Sequence, residues 1–219
     1  LFNYVGYYIN RGTGPGISSN GIQGGVGMSK EVLLLSNESE IFIIDGLEGG
    51  RRWSDIPSKF RSMNDVAERI FGGRFTEIGR FRERLSLSFD AHLAIVTFGY
   101  GLVNGKDIIS PYEGYCEGEH ISDVEERNGL TDAVRSLTKT PNRIIVCLPN
   151  DLLAYLLDAE ALPLQKCVFV ASPSMHSRLS DGLLVLTRRG SRLGRANAEQ
   201  IMDYLKKETM EKSGADAGI

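Results

Sequence analysis

The amino-acid sequence predicts an α/β domain with a mostly parallel central sheet, and two observations lead to this prediction. Short, continuous apolar runs, such as residues 32–35 and 143–148, are typical of strands that are buried on both faces. Segments with apolar residues at helical spacing, such as residues 74–89, lie between those runs. Because such helices must cover both faces of the sheet, we expect a three-layer, Rossmann-like architecture.

The size and composition of the chain are those of one globular domain. It has 219 residues, of which 42% are apolar and 24% are charged. A formal net charge of −3 provides no global basic field for nucleic-acid binding, although a local basic patch is compatible with it. No apolar run approaches the roughly 18 residues that a membrane span needs, so no membrane partner is predicted.

The cysteines predict a cytoplasmic protein. There are three of them, an odd number, and no Cys-x-x-Cys pair occurs. Cys147 and Cys167 lie inside apolar runs, where cysteine usually behaves as a small buried hydrophobe. This usage is typical of a reducing compartment rather than of a disulfide framework. The three histidines are scattered without ligand spacing, so neither a metal nor a cofactor is predicted.

A glycine-rich arm over residues 1–29 precedes the domain. Its glycines lose too much backbone entropy for a continuous helix. The series Met28-Ser29-Lys30-Glu31 resembles a true N-terminus, in which case residues 1–27 come from an upstream alternative start. The alternative is an ordered arm that packs or swaps onto a neighbour. Residues 30–207 are expected to form the single α/β domain, and the polar residues 208–219 a flexible tail.

Two apolar runs, residues 32–35 and 41–44, open the domain on either side of the polar residues 36–39. The short linker permits a hairpin between the two runs. Alternatively, residues 36–39 form a binding loop at the end of a central parallel strand. The elements expected next are, in order, a long loop over residues 45–58, a helix over residues 65–71 and a helix over residues 74–89.

The central strand of the prediction is an apolar run over residues 91–98, which stops at Gly99-Tyr100-Gly101. A loop with polar and aromatic groups follows it. Beyond this loop, strands and helices continue to alternate. Helices are expected over residues 121–138, 151–159 and 195–207, and strands over residues 143–148, 166–171 and 183–187.

In open α/β sheets, ligands bind beyond the carboxyl ends of the strands, and this rule locates the first candidate site. Tyr100 and Tyr112 offer flat faces for stacking and hydroxyls for hydrogen bonds. Glu113 offers a carboxylate for a base edge or for proton transfer. In the alternative, Gly99 and Gly101 only make a tight turn, while Tyr112 and Glu113 pin the loop. The candidate ligand-binding residues are Ser36, Asn37, Tyr100, Pro111, Tyr112, Glu113 and Ser172.

A second candidate site is the basic turn before the C-terminal helix, with Arg188, Arg189 and Arg192. Helix N-termini attract anions, and arginine adds bidentate donors, so this turn is a candidate phosphate-binding site. The alternative is a solvated basic turn that has no partner.

Two motifs carry a resemblance to a known family. They are Thr97-Phe98-Gly99-Tyr100-Gly101-Leu102 and Ile109-Ser110-Pro111-Tyr112-Glu113. They resemble the Ser-Ala-Lys-Tyr-Gly-Leu and Ile-x-Pro-Tyr-Asp/Glu motifs of a prokaryotic family of uncharacterised domains, related to the YaaA-like peroxide-stress proteins. The resemblance implies an α/β domain with links to nucleic acid or modified-base metabolism. The family's Cys-Ser-x-x-Lys motif is replaced here by residues 36–39, so only the tyrosine, Pro-Tyr-Glu and strand-end positions are carried over.

Two functional hypotheses follow. In the first, the strand ends bind or process a nucleobase, a nucleotide or a nucleic acid, and no particular reaction is assigned. In the second, the chain is a non-catalytic interaction protein. Its N-terminal arm and C-terminal tail would mediate self-association or partner binding, and the arm would form a homo-oligomer.

Overall fold

A computed structural model describes residues 31–118, 120–188 and 192–215. The predicted arm over residues 1–29, and with it the start proposed at Met28, lies outside the described residues, as does Arg189. Ten strands and six α-helices occur within the described part of the chain. The strands are β1 Glu31–Asn37, β2 Ile41–Phe42, β3 Arg51–Arg52, β4 Asp65–Val66, β5 Asp90–Thr97, β6 Gly101–Asn104, β7 Ile108–Ile109, β8 Arg143–Cys147, β9 Cys167–Ala171 and β10 Leu184–Thr187.

The α-helices are α1 Ala67–Ile70, α2 Phe75–Ser86, α3 His120–Asn128, α4 Leu130–Leu137, α5 Asn150–Asp158 and α6 Arg195–Ala215. Four short 3₁₀ helices cover Trp53–Asp55, Ser58–Phe60, Leu164–Lys166 and Pro173–Leu179. Among these described helices, none is both long enough and apolar enough to cross a lipid bilayer.

Six of the strands form one sheet in the order β10-β9-β8-β1-β5-β6. All neighbours in it are parallel except β5 and β6. Strand β1 lies inside the sheet, where Leu34 is opposite Leu93 of β5 on one side and Ile145 of β8 on the other. The predicted α/β class with a mostly parallel central sheet is thereby confirmed.

Alternate residues of β1 belong to two separate hydrophobic clusters. Leu34 packs in one cluster together with buried residues of α2 and α6. Leu33 and Leu35 pack in the other, with buried residues of α3, α4 and α5. Because successive side chains of a strand point to opposite faces, the two clusters lie on opposite faces of β1. This burial on both faces explains the continuous apolar runs of the sequence.

Three segments of the chain form elements that differ from those predicted. The helix expected over residues 121–138 is two helices, because Gly129 adopts a left-handed conformation (φ 58°) that cannot continue a helix. Residues 101–104 were expected in a loop, but they form the antiparallel edge strand β6. Strand β2 pairs with β3 rather than with β1, so no hairpin joins the first two apolar runs.

Helix α6 is longer than predicted. It continues to Ala215, past the expected end at residue 207. The additional part of the helix contacts the sheet, since Arg143 of β8 forms an ion pair with Glu208 of α6. Both side chains of this pair are largely buried.

Candidate functional site

The strand order creates a topological switch point between β1 and β8. From β1 the chain continues to β5, which lies on one side of β1. It later returns to β8, which lies on the other side of β1. A crevice forms beyond the carboxyl ends of two such strands. A cavity of about 620 Å³, here called the arginine cleft, opens at this position. It is lined by Ser39, Glu40, Ile41, Arg52, Gly73, Arg74, Tyr115, Glu117, Pro149, Arg188 and Arg192.

The wall of the arginine cleft is positively charged. Its four arginines and two glutamates give it a net charge of +2, although the chain as a whole carries −3. One of these arginines is partly neutralised, because Arg52 lies 3.4 Å from a carboxylate oxygen of Glu40. The excess positive charge makes the cleft suitable for an anion.

Neutral acceptors hold Arg188 in place. This residue follows β10 and reaches across to the end of β8. Its Nη1 donates to the Leu148 carbonyl and its Nη2 to Asn150 Oδ1, both at 3.0 Å. The Asn150 side chain is used for this contact, and α5 has no capping side chain.

Arg192 is held at the end of β1, also by neutral acceptors. It donates to the backbone carbonyls of Asn37 and Glu38, and to the Tyr115 hydroxyl at 2.9 Å. Within the described residues, neither Arg192 nor Arg188 forms an ion pair with a carboxylate. Both guanidinium groups therefore keep an unneutralised charge in the cleft.

Tyr115 presents a hydrogen-bond donor to the cleft. Its hydroxyl oxygen accepts from Asn37 Nδ2 at 2.8 Å and from Arg192 at 2.9 Å. A hydroxyl has two acceptor positions and one proton, so these contacts leave the proton to be donated elsewhere. Burial raises the pKa of Tyr115 above its ordinary value, which keeps that proton in place. The hydroxyl can thus donate to an oxygen atom of a ligand.

Glu38 supports the cleft from beneath without lining it. Its side chain is fully buried, and its Oε1 accepts from the backbone N–H of Phe98 at 2.8 Å and of Cys116 at 2.7 Å. Burial raises the pKa of Glu38 to about 8, against the opposing effect of these two hydrogen bonds and of Arg192. The carboxyl group is therefore mostly protonated at neutral pH and does not neutralise Arg192.

Of the strand-end residues that the sequence predicted, only Asn37 contacts a residue that lines the cleft. Ser36 is buried, and its hydroxyl donates to the Cys147 carbonyl at 3.3 Å. Ser172 follows β9 and has its hydroxyl 2.7 Å from that of Ser174. Ser36 and Ser172 do not line the arginine cleft.

The four predicted loop residues lie together, but outside the arginine cleft. The rings of Tyr100 and Tyr112 are 5.4 Å apart, and Tyr112 also packs on Phe42. Pro111 is buried and Glu113 is exposed. The contacts of Tyr112 agree with the alternative in which this side chain pins the loop.

Several residues of the site were not predicted from the sequence. Tyr115 lies only three positions after Tyr112, and its place in the same loop was the available signal. Arg52 lies in a segment that was predicted to be a loop, and Arg74 lies at the predicted start of a helix. No pattern in the sequence links either arginine to the strand ends. Glu38 belongs to the polar segment after β1, which was considered as a binding loop.

No protein-family model matches this chain, and neither does any curated protein or solved structure. The resemblance to the YaaA-like family therefore stays a prediction that is based on two motifs. What the chain does is inferred below from the geometry of the arginine cleft.

Proposed function

We propose that the arginine cleft binds the phosphate group of a nucleotide or a nucleic acid. One observation carries this proposal: Arg188 and Arg192 are fixed by neutral acceptors and keep their charges unneutralised among the described residues. Burial lowers the pKa of the Arg192 guanidinium from its ordinary value, so the charged form is costly there. A bound anion would offset this cost, and arginine suits phosphate because it offers two parallel donors.

Two further features support an anion in this position. Helix α5 begins at Asn150, directly after Pro149 of the cleft wall, and the N-terminus of a helix favours negative charge. Tyr115 adds a neutral donor at the floor of the cleft. The cleft therefore offers guanidinium, hydroxyl and backbone donors to one group of oxygen atoms.

The proposal includes the finer fold class, a three-layer Rossmann-like domain. The two hydrophobic clusters on the faces of the sheet and the switch point between β1 and β8 support it. Domains of this kind bind nucleotides at the switch point. The choice of a nucleotide among phosphate compounds is also supported by the motifs that resemble the YaaA-like family.

The first test is a thermal-shift and calorimetry panel on the full chain with inorganic phosphate, nucleotides, and short DNA and RNA. A ligand at 100 times its dissociation constant adds about 2.7 kcal/mol to the free energy of unfolding. Arg188→Gln should weaken phosphate and nucleotide binding about tenfold, because a charge-assisted hydrogen bond contributes about 1.5–3 kcal/mol. Arg195→Gln is the matched control, because Arg195 is exposed and lies outside the cleft.

Equal losses of affinity in the Arg188 and Arg195 variants would contradict the cleft as the binding site. Protection by nucleic acids alone, lost at high salt, would identify a polymer as the ligand. No shift with any compound would favour the non-catalytic interaction protein instead. Light scattering of the full chain and of a chain starting at Met28 would then test the predicted role of the arm.

A further inference from the structure

The carboxyl group of Glu38 is fully buried beneath the arginine cleft and is not part of its wall. We infer that Glu38 is a proton-operated switch for the cleft, which binds a phosphate group strongly while this carboxyl group is protonated and weakly once it is ionised. This inference rests on the proposed phosphate site, to which it adds a response to pH.

The hydrogen bonds of the Glu38 carboxyl group suit its protonated form. Its Oε1 accepts from the backbone N–H of Phe98 at 2.8 Å and from that of Cys116 at 2.7 Å. Its Oε2 is buried and has no hydrogen-bond partner within the described residues. A protonated carboxylic acid has one carbonyl oxygen, which accepts, and one hydroxyl group. Oε2 is therefore the place for the proton, because an unpaired hydroxyl costs less in a buried site than an unpaired negative charge.

No cation pairs directly with this carboxyl group. None of the ion pairs in the described part of the chain includes Glu38. Arg192 attracts the carboxylate form, but its Nη2 donates to the backbone carbonyl of Glu38 and not to a carboxyl oxygen. Burial prevails over this attraction and raises the pKa of Glu38 to about 8.

The other acidic groups beside Glu38 keep their protons in this range. Tyr115 and Cys116 lie on the loop that packs against the carboxyl group. Burial raises the pKa of both residues, that of Cys116 to about 12. Of these three acidic groups, Glu38 alone loses its proton near pH 8. Charged groups that act on Tyr115 or Cys116 from the adjoining segments are Glu117, Arg127 and Asp151.

The carboxyl group is close enough to the cleft wall to affect a ligand there. Arg192, which lines the cleft, is bonded to the Glu38 carbonyl. Tyr115, which also lines it, directly precedes the Cys116 N–H that contacts Oε1. Ionisation of Glu38 would offset the charge of Arg192 and place a negative charge near the Tyr115 hydroxyl. Both changes would weaken the attraction for an anion.

The two arginines of the phosphate site are anchored on neighbouring strands. Arg188 donates to the Leu148 carbonyl and Arg192 to the Asn37 carbonyl. These two acceptor residues directly follow the last paired residues of β8 and β1. Neighbouring strands lie about 4.8 Å apart. Arg188 therefore supplies one charge to the site, and Arg192 supplies the charge that Glu38 can offset.

Phosphate binding and protonation of Glu38 are therefore linked. A bound anion raises the pKa of Glu38 further, and ionisation of Glu38 weakens anion binding by the same free energy. A tenfold change in affinity corresponds to a rise of about one in the pKa. The affinity contributed by this link is fully present well below pH 8 and is lost as the pH rises through about 8.

Calorimetry on the full chain with inorganic phosphate at pH 6.5, 8 and 9.5 and constant ionic strength tests the inference. The comparison is with Glu38→Gln, which keeps the shape and the neutrality of the protonated acid. Because the titration of phosphate itself is common to both chains, the readout is the ratio of their dissociation constants. We expect the constant of the unmodified chain, divided by that of the variant, to rise about tenfold between pH 6.5 and pH 9.5.

Proton uptake provides a second readout. Titrations at pH 8.5 in buffers with different ionisation enthalpies give the number of protons bound along with each phosphate. The unmodified chain should take up about half a proton more than Glu38→Gln, because pH 8.5 lies between the pKa values of the free and the bound state. The control is Glu113→Gln, an exposed carboxylate outside the cleft, which should behave as the unmodified chain does in both measurements.

A ratio of dissociation constants that does not change with pH would overturn the inference, and so would equal proton uptake by the unmodified chain and Glu38→Gln. In either case, phosphate binding at pH 6.5 that is weakened by Arg188→Gln would leave the proposed phosphate site standing. If phosphate binds to neither chain at any of these pH values, both the phosphate site and the switch are overturned.

Discussion

At the scale of single residues, Glu38 determines how the floor of the arginine cleft is assembled. One buried carboxyl group joins the end of β1 to the Phe98 and Cys116 backbones, and Tyr115 lies directly beside Cys116. Desolvation disfavours the charged form of such a group. Because burial raises its pKa to about 8, the folded chain holds a proton on Glu38 that the unfolded chain releases near the ordinary value of 4.5.

Glu38 should therefore make stability depend on pH. The folded state binds more protons than the unfolded state between the two pKa values, so the contribution of Glu38 is fully present below about pH 4.5 and is lost as pH rises through about 8. Glu38→Gln removes this titration while keeping the shape of the protonated acid. We expect the free energy of unfolding of the variant, relative to that of the unmodified chain, to rise by about 4 kcal/mol between pH 5 and pH 8.5, measured by urea unfolding.

The control for this experiment is Glu113→Gln, at an exposed position. This substitution should change the free energy of unfolding by less than about 0.5 kcal/mol, as substitutions at exposed positions usually do. If the Glu38→Gln and unmodified curves run parallel, Glu38 is ionised in the folded protein.

At the scale of elements, a glycine in α2 and a glycine in the turn between β5 and β6 differ in the space available for a side chain. Gly79 lies inside α2, and the nearest atom to an added Cβ would be the Glu68 carbonyl oxygen at 3.9 Å. Gly99 lies in the turn, where the same atom would be 2.6 Å from the ring of Tyr112. The helix thus has room for a side chain, and the turn has none.

We expect Gly79→Ala to stabilise the chain by up to about 1 kcal/mol, because alanine has the higher helix propensity. Gly99→Ala should destabilise it by about 1–3 kcal/mol, because the Tyr112 ring must move. Thermal and urea unfolding measure both changes. Similar effects from the two substitutions would show that the packing of Tyr112 on Gly99 does not restrict the turn.

At the scale of the whole molecule, α6 is tied to the sheet by one largely buried ion pair. Arg143 Nε donates to Glu208 Oε2 at 2.7 Å, and a second hydrogen bond joins Nη2 to Oε1. The two side chains are only 18% and 17% exposed. Removing one partner of such a pair leaves a buried charge without its counterion.

Glu208→Ala should lower the free energy of unfolding by about 1–3 kcal/mol and shift the whole cooperative transition, because α6 packs on the same core as β1. Asp132→Ala is the control, since it breaks an exposed pair with Arg135 and should change stability by less than about 0.5 kcal/mol. Equal effects in the two variants would mean that Glu208 contributes no more than a surface charge.

The basic turn before α6 was predicted from the sequence as a phosphate-binding site, and the structure shows where its arginines lie. Arg188 and Arg192 were selected because arginines precede a helix, and both line the cleft at the switch point. They do not act at the N-terminus of α6, however, but reach back to the ends of β8 and β1. Arg189 lies outside the described residues.

The sequence by itself determined five of the six strands of the central sheet and most of the helices, because apolar runs and helical periodicity are local properties of the chain. It could not show that the antiparallel edge strand β6 forms, since its pairing depends on the turn at residues 98–100. Only the tertiary structure decided which residues meet at the arginine cleft. Strand β1 lies beside β8 although more than a hundred residues separate them. Tyr115 and Arg192, which come from two other distant segments, both form hydrogen bonds with Asn37 at the end of β1. Such long-range contacts leave no periodic pattern in a single sequence, because each residue type is compatible with many partners.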